Sequence, residues 1–433
     1  MHPARSFTYC CLALIALTAF GGQAFAANTV AGLCSASGTH YTTIQAAVNA
    51  ASSGGKVSVC PGTYPEQVSI TKSLTLVGIV NTSASTDAAV VVVPAGGLVQ
   101  TGSDIYGNPV AAQILVTGAT SVTVSHLTVD GSNNGLSGCG TSDPIGIYYQ
   151  NSTGTITYNA VRDVLMDPAY QGCGLGLAIN VESNTGAPAV TISDNSVRNY
   201  DKNGITASGP GTGTGGPAVK VSNNTVIGIG ATSVIAQNGI QIGFGATGSV
   251  TSNEVADDIY INPANCGQSG QPECFGSSGI LIYASSGVTV TSNTVESTQL
   301  AIVPNTDPTY GPADDTVITS NHIGGTQTYD AIDLCSSGNT AETNVIYGSA
   351  QSGVHVDDSC GSGNNNTVTK NTINEACAGV LLGTGSNNTV SPNTFANVTN
   401  TTLAGDSCSP LAEVKTQVKH ASLRPSPRKP NRE

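Results

Sequence analysis

In a chain with only 9% charged residues, Asp330, Asp333, His355, Asp357 and Asp358 crowd into one short segment. Carboxylates and an imidazole are side chains that move protons near neutral pH. A carboxyl beside a second acid resists ionisation and can protonate a leaving oxygen while its neighbour stays charged. Three readings follow: catalysis by Asp333, His355 and Asp357; binding of a sugar or of a hard cation such as calcium through carboxylate oxygens; or a solvated acidic patch in which Asp333 and His355 are a cross-strand pair. Asp330 and Asp358 stand at the edges as substrate contacts, and Tyr283 and Tyr329 offer rings that stack on sugars.

These residues meet only if the chain repeats. A Gly or Ala opens a short strand at Gly146-Ile147, Gly176-Leu177, Gly204-Ile205, Gly239-Ile240, Gly279-Ile280, Ala301-Ile302, Ala331-Ile332, Gly353-Val354 and Gly379-Val380. Period-2 alternation, as in Val354-His355-Val356, turns the aliphatic residues inward and the one between them outward. Aligning the strands gives an outward column of Tyr148, Ala178, Thr206, Gln241, Leu281, Val303, Asp333, His355 and Leu381. The next column reads Gln150, Asn180, Ser208, Gly243, Tyr283, Asn305, Cys335, Asp357 and Gly383. Asp333 and His355 thereby become neighbours on successive coils, with Asp357 on the same face.

A second repeat interleaves with the first, an Asn before an apolar residue at Asn159, Asn195, Asn224, Asn253, Asn293, Asn321, Asn344, Asn371 and Asn393. The spacings cluster where one coil of a β-solenoid puts them, with loops lengthening some coils. At a tight corner the Asn amide satisfies turn groups of the next coil that burial would leave unpaired, and His126 occupies a corner of the same kind. An open solenoid end needs a cap. The segment 41–53 supplies a helix, with Ile44, Ala47, Val48 and Ala51 on one face, Thr42 and Gln45 in a capping box, and Gly54-Gly55 as the stop.

The ends read differently. Residues 1–26 have a weakly basic start, an apolar core and Ala24-Phe25-Ala26, the form of a secretory signal, so the expected protein is secreted or periplasmic. Residues 27–410 form the solenoid, and 411–433, basic and Pro-rich, a disordered tail. Ten cysteines follow the signal: Cys34, Cys60, Cys139, Cys173, Cys266, Cys274, Cys335, Cys360, Cys377 and Cys408. With no CxxC among them, and with export, disulfides are expected, paired in sequence order as local staples. Residues 27–412 carry seven basic against 25 acidic side chains, a formal charge of −18. That balance repels nucleic acid and disfavours polyanions. No stretch is long and apolar enough to span a membrane.

From Tyr41 to Gly78 the chain resembles the opening of pectin-lyase-like proteins, including pectin methylesterases, at Thr43-Ile44-Gln45-Ala46-Ala47-Val48, Val57-Ser58-Val59, Pro61-Gly62-Thr63-Tyr64-Pro65-Glu66-Gln67-Val68 and Leu74-Thr75-Leu76-Val77-Gly78. The later Asn and Gly repeats are similar to those of polysaccharide lyases, polygalacturonases, epimerases and the periplasmic protein NosD. The resemblance implies an all-β chain, a right-handed parallel β-helix, over roughly residues 34–400. It implies no particular reaction. The methylesterase motifs Gln-Asp-Thr-Leu, Asp-Phe-Ile-Phe-Gly and Leu-Gly-Arg-Pro-Trp are missing. Asn305-Thr306-Asp307 and Asp314-Asp315 mimic polygalacturonase acids within one short loop, without Gly-His-Gly or Arg-Ile-Lys after them. Lyases need a cationic base, and the coils after Lys220 hold only Lys370. A copper role lacks ligands, since Met166 is the one Met of the mature chain. The expectation is a protein that binds or processes extracellular polysaccharide, as glycosidase or lyase if it is an enzyme, with no cofactor beyond a compatible calcium ion. The competing class is a non-catalytic surface or adhesion module.

Overall fold

The computed structural model describes residues 28–80, 88–167, 169–172, 174–211, 215–262, 276–325, 329–361, 363–405 and 407–408. The signal reading of 1–26, the tail 411–433, and Cys173, Cys266 and Cys274 lie outside the described residues. Among those described, one helix, Ile44–Ala50, accompanies strands that form a 14-stranded and a 22-stranded sheet. Pairing is parallel except between Gly102–Ser103 and Pro109–Thr117. The larger sheet wraps a corner and supplies two sides of each coil, so the right-handed β-helix is three-sided. Parallel rungs stack about 4.8 Å apart.

Period-2 alternation builds the core from small β-formers. Ile147, Ile179, Ile205, Ile240, Ile280, Ile302, Ile332, Val354 and Val380 stack one above another, and all are buried. Val161, Val197, Val226, Val255, Val295, Ile323, Ile346 and Ile373 form a second column.

Nine Asn corners join into one continuous ladder. After the first, the side-chain oxygen of each accepts from both the main-chain N–H and the amide of the preceding Asn, at 2.9–3.1 Å throughout. Each ladder amide also donates back to a main-chain carbonyl of the preceding coil, as Asn253 does to Val221. At the start of the ladder Leu127, rather than His126, donates its N–H to Asn159. His126 sits one position earlier, in the left-handed conformation shared by Tyr158, Asp194, Asn223 and Ser252, and stacks on Tyr158. A shorter ladder not anticipated from the sequence runs from Thr316 through Asn339 and Asn366 to Asn388.

The helix is shorter than the expected 41–53, and Thr43 rather than Thr42 caps it, accepting from the Ala46 N–H at 3.1 Å. Glu66 explains the difference. Its carboxylate accepts from the N–H groups of Ile44 and Gln45 at 2.7 and 3.0 Å, satisfying two of the first-turn donors that have no partner within the helix. Gln45 is thereby free to bond Asn49 and Ser69. Ile44, Ala47 and Val48 are buried as the spacing predicts.

Three of the sequence-order disulfides are present: Cys34–Cys60, Cys335–Cys360 and Cys377–Cys408. The last ties the final rung, Thr394–Ala404, to the coil beneath it.

Removing one ladder oxygen strands two donors of the preceding Asn in the interior. Asn253→Ala is expected to cost about 3 kcal/mol in a denaturant titration. Asn393→Ala, at the less buried end, should cost less than half as much, and equal costs would show that the ladder does not act through burial.

Candidate functional site

The strand Ile332–Asp333 pairs with Ile302 on one side and with Val354 and His355 on the other. This register turns Ile332 and Leu334 inward and Asp333 outward, directly beside His355. Asp330, just before the strand, is buried. One of its oxygens accepts from the Ser352 N–H and hydroxyl at 2.9 and 2.6 Å; the other lies 3.4 Å from His355 Nδ1. Asp333 Oδ1 is 3.8 Å from the same nitrogen. Neither Asp333 Oδ1 nor His355 Nε2 has a hydrogen-bond partner among the described residues.

The electrostatics follow from this crowding. Burial pushes the Asp333 carboxyl well above the usual carboxylate range, the Asp330 and Asp357 charges push it further, and His355 only partly offsets them. Burial works against the His355 imidazolium but is outweighed by the bond to Asp330 and by the charges of Asp333, Asp330 and Asp357, which raise it to about 9. The face therefore sets a carboxyl that holds its proton far more tightly than an ordinary Asp beside an imidazole raised to about 9. Asp333 is the member open to solvent, with its side chain 14% exposed against 6% for His355 and Asp330.

Asp357 accepts from the Ser359 N–H and hydroxyl at 2.7 and 2.8 Å. The Cys335 sulfur 3.3 Å from it carries no proton, being in a disulfide, so that approach is a contact and not a hydrogen bond. Asp358 points away, to the N–H and hydroxyl of Thr384. Tyr329 joins the neighbourhood through its main chain, which bonds Gln299, Ser349 and Gln351. Tyr283 donates its hydroxyl to Asp307 and meets Phe244 edge-on.

As donors, Asp330, Asp333 and His355 lie within 4.8 Å of one another. They do not fit calcium, which takes six to eight oxygens, because one of the three is a nitrogen and an Asp330 oxygen is already bonded twice. Cys335, Asp357 and Cys360 also cluster, but the disulfide consumes both thiols.

The outward columns need one correction. Tyr148 pairs with Asn180 and not Ala178, and Gln150 with Glu182 and not Asn180. The repeat in that coil opens at Ala178-Ile179, two residues after the Gly176-Leu177 decoy. The slip hid a buried group: Glu182 accepts from the Tyr148 hydroxyl at 2.6 Å, the Asn180 amide at 3.0 Å and the Ile105 N–H at 3.3 Å. Alternation through Ile179-Asn180-Val181-Glu182 was the signal that would have found it. Tyr283 belongs to an aromatic group with Tyr310, Tyr106 and Phe244, the last two unanticipated, whose Tyr283 rung is two rungs from Asp333.

The family model of the right handed beta helix region matches residues 211–395. No curated protein matches the chain by sequence. Among solved structures the chain is similar to GH136 lacto-N-biosidase from Eubacterium ramulus, with TM-score 0.52 and 12% identity over 86% of this chain and 67% of that one. It is also similar to a surface adhesin of Streptococcus pneumoniae, with TM-score 0.44 and 13% identity over 86% and 89% of the two chains. At these identities the likeness is one of fold alone.

Burial raises Asp143 and Asp201 to about 6, and His355 is raised to about 9. All three bind protons more tightly folded than unfolded. The stability they contribute is complete below about pH 4 for the acids and below about 6.5 for the imidazole, and is lost as pH rises through 6 and 9. The melting temperature should therefore fall from pH 4.5 to pH 9. Asp201→Asn should flatten the lower part of that curve and His355→Gln the upper, and a maximum near pH 8 would contradict these assignments.

Proposed function

Taking the chain as a right-handed β-helix repeat protein, we propose that it binds extracellular polysaccharide along the outward side carrying Asp333 and cleaves it by acid-assisted hydrolysis. The observation that carries this reading is the register that sets the partly exposed Asp333, its carboxyl pushed well above the usual carboxylate range, beside His355 and in the field of Asp357. Asp333 gives its proton to the glycosidic oxygen as the bond to it breaks. Asp357, held by Ser359, stabilises the sugar carbon that becomes electron-poor, or takes the proton of an attacking water. Asp330 and His355 are positioning residues. Ser352 fixes Asp330, which orients the His355 imidazole.

Hydrolysis is favoured over elimination. Lys370, the one basic residue between Lys220 and residue 412, pairs with Glu342 at 2.7 Å beside the Asn corner, away from Asp333. The three disulfides suit an oxidising compartment, in keeping with secretion, and no described helix is long and apolar enough to cross a membrane. The fold neighbour named as a lacto-N-biosidase is consistent with glycan chemistry, although the reading rests on the site.

A non-catalytic surface module is the second reading. The near-complete burial of Asp330 and His355 favours it, since such a pair also serves as a structural bridge between coils. The two readings separate on turnover. Over a panel of neutral and acidic polysaccharides, reducing-sugar release is expected without the ultraviolet absorbance of unsaturated products. Asp333→Asn and Asp357→Asn should each lower the rate by about 10²–10⁴-fold while the far-ultraviolet circular dichroism spectrum of the folded protein stays unchanged. Wild-type rates in both variants would end the catalytic reading.

A further inference from the structure

At the turn that follows the Gly243 and Tyr283 strands lies a groove of about 430 Å³, lined by Thr247, Ala284, Ser286, Pro308, Tyr310 and Pro312 among others. None of the groove's lining side chains is charged. Its one aromatic lining residue, Tyr310, is held by a packed aromatic group. Phe244 is the hub, with ring centroids 5.0 Å from Tyr310, 5.2 Å from Tyr283 and 5.9 Å from Tyr106, all edge-to-face. The loop carrying Tyr310 is fixed by Asp307, whose carboxylate accepts from the Tyr283 hydroxyl and from the N–H groups of Thr309 and Tyr310 at 2.7 and 2.9 Å. Asp307 and Gly311 also exchange main-chain hydrogen bonds. Tyr106 is tied to the Gly209 carbonyl. Even so, Tyr106 and Tyr310 remain 45% and 43% exposed.

A ring locked in place and left open to solvent, Tyr310, over a lining of hydroxyls and prolines without charge, matches one kind of ligand: a neutral pyranose, whose C–H face packs on the aromatic ring while its rim meets hydroxyls. The body charge of −18 disfavours a uronate in the same place. The groove adjoins the catalytic side. Gly243, Tyr283, Asn305 and Cys335 share one column, so Tyr283 stands two rungs, about 10 Å, from the Asp333 coil. We propose that this groove, walled by Tyr310, is a subsite for a neutral sugar residue of the same polysaccharide that passes Asp333. This deepens the polysaccharide reading and rests on it.

Calorimetric titration with soluble neutral glucan, galactan and mannan, and with polygalacturonate as the acidic comparator, tests it. At least one neutral glycan is expected to bind. Tyr310→Ala should weaken that binding about tenfold, whereas Tyr310→Phe, which keeps the ring, should not. Thr247→Trp, filling the groove from an exposed position, should weaken it even if Tyr310→Ala folds poorly. Asp333→Asn should bind like the wild type while losing turnover. Unchanged binding in Tyr310→Ala and Thr247→Trp would overturn the subsite and leave the acid–base reading standing. Binding of polygalacturonate alone, or of none of the four, would overturn the subsite as well.

Discussion

Everything in this molecule depends on the coils keeping register, and the asparagine ladder is the interaction that enforces it. A parallel β-helix turns sharp corners in its own interior, where main-chain N–H groups face neither strand partner nor water. An unpaired buried donor costs on the order of 1–3 kcal/mol, and the corners recur in every coil. Asn resolves this at each level because one side chain accepts from the coil before it and donates back to a carbonyl of that coil. A one-residue slip would break the ladder and turn the outward residues into the core. The loops can therefore vary in length while the columns stay aligned.

The acid–base cluster is a product of that alignment. Asp333 and His355 lie on different coils, and only the pairing of Ile332 with Val354 sets them side by side. The core columns then bury most of both side chains, and burial in the company of Asp330 and Asp357 is what shifts their protons. The fold does not add a reactive group to a neutral scaffold. It takes ordinary Asp and His side chains and changes their acidity through low exposure and close neighbours.

The sequence made the solenoid, its nine Asn corners, three local disulfides and the Asp333–His355 pairing legible, because each is written as a repeat or as a spacing. The misreadings have physical causes. Gly176-Leu177 imitates a strand opening two residues early, after an irregular segment that breaks the period, and the slip concealed Glu182. The helix cap was misplaced because its decisive acceptor, Glu66, lies in a later strand connection, and local capping rules cannot see it. The second ladder has only three Asn, too few to stand out. Burial is the largest gap: alternation says which residues point outward, but not that Ser352 and the neighbouring coils close over Asp330.

The coil register holds Asp333 and His355 side by side with the affinity of both for their protons raised. Titration of carbon-labelled Asp carboxyl and His imidazole resonances, assigned with Asp333→Asn and His355→Gln, tests this directly. The imidazole is expected to titrate near 9 and the Asp333 carboxyl well above the usual carboxylate range. An imidazole titrating at or below about 6.5, with an Asp333 carboxyl ionised by about pH 5, would contradict it.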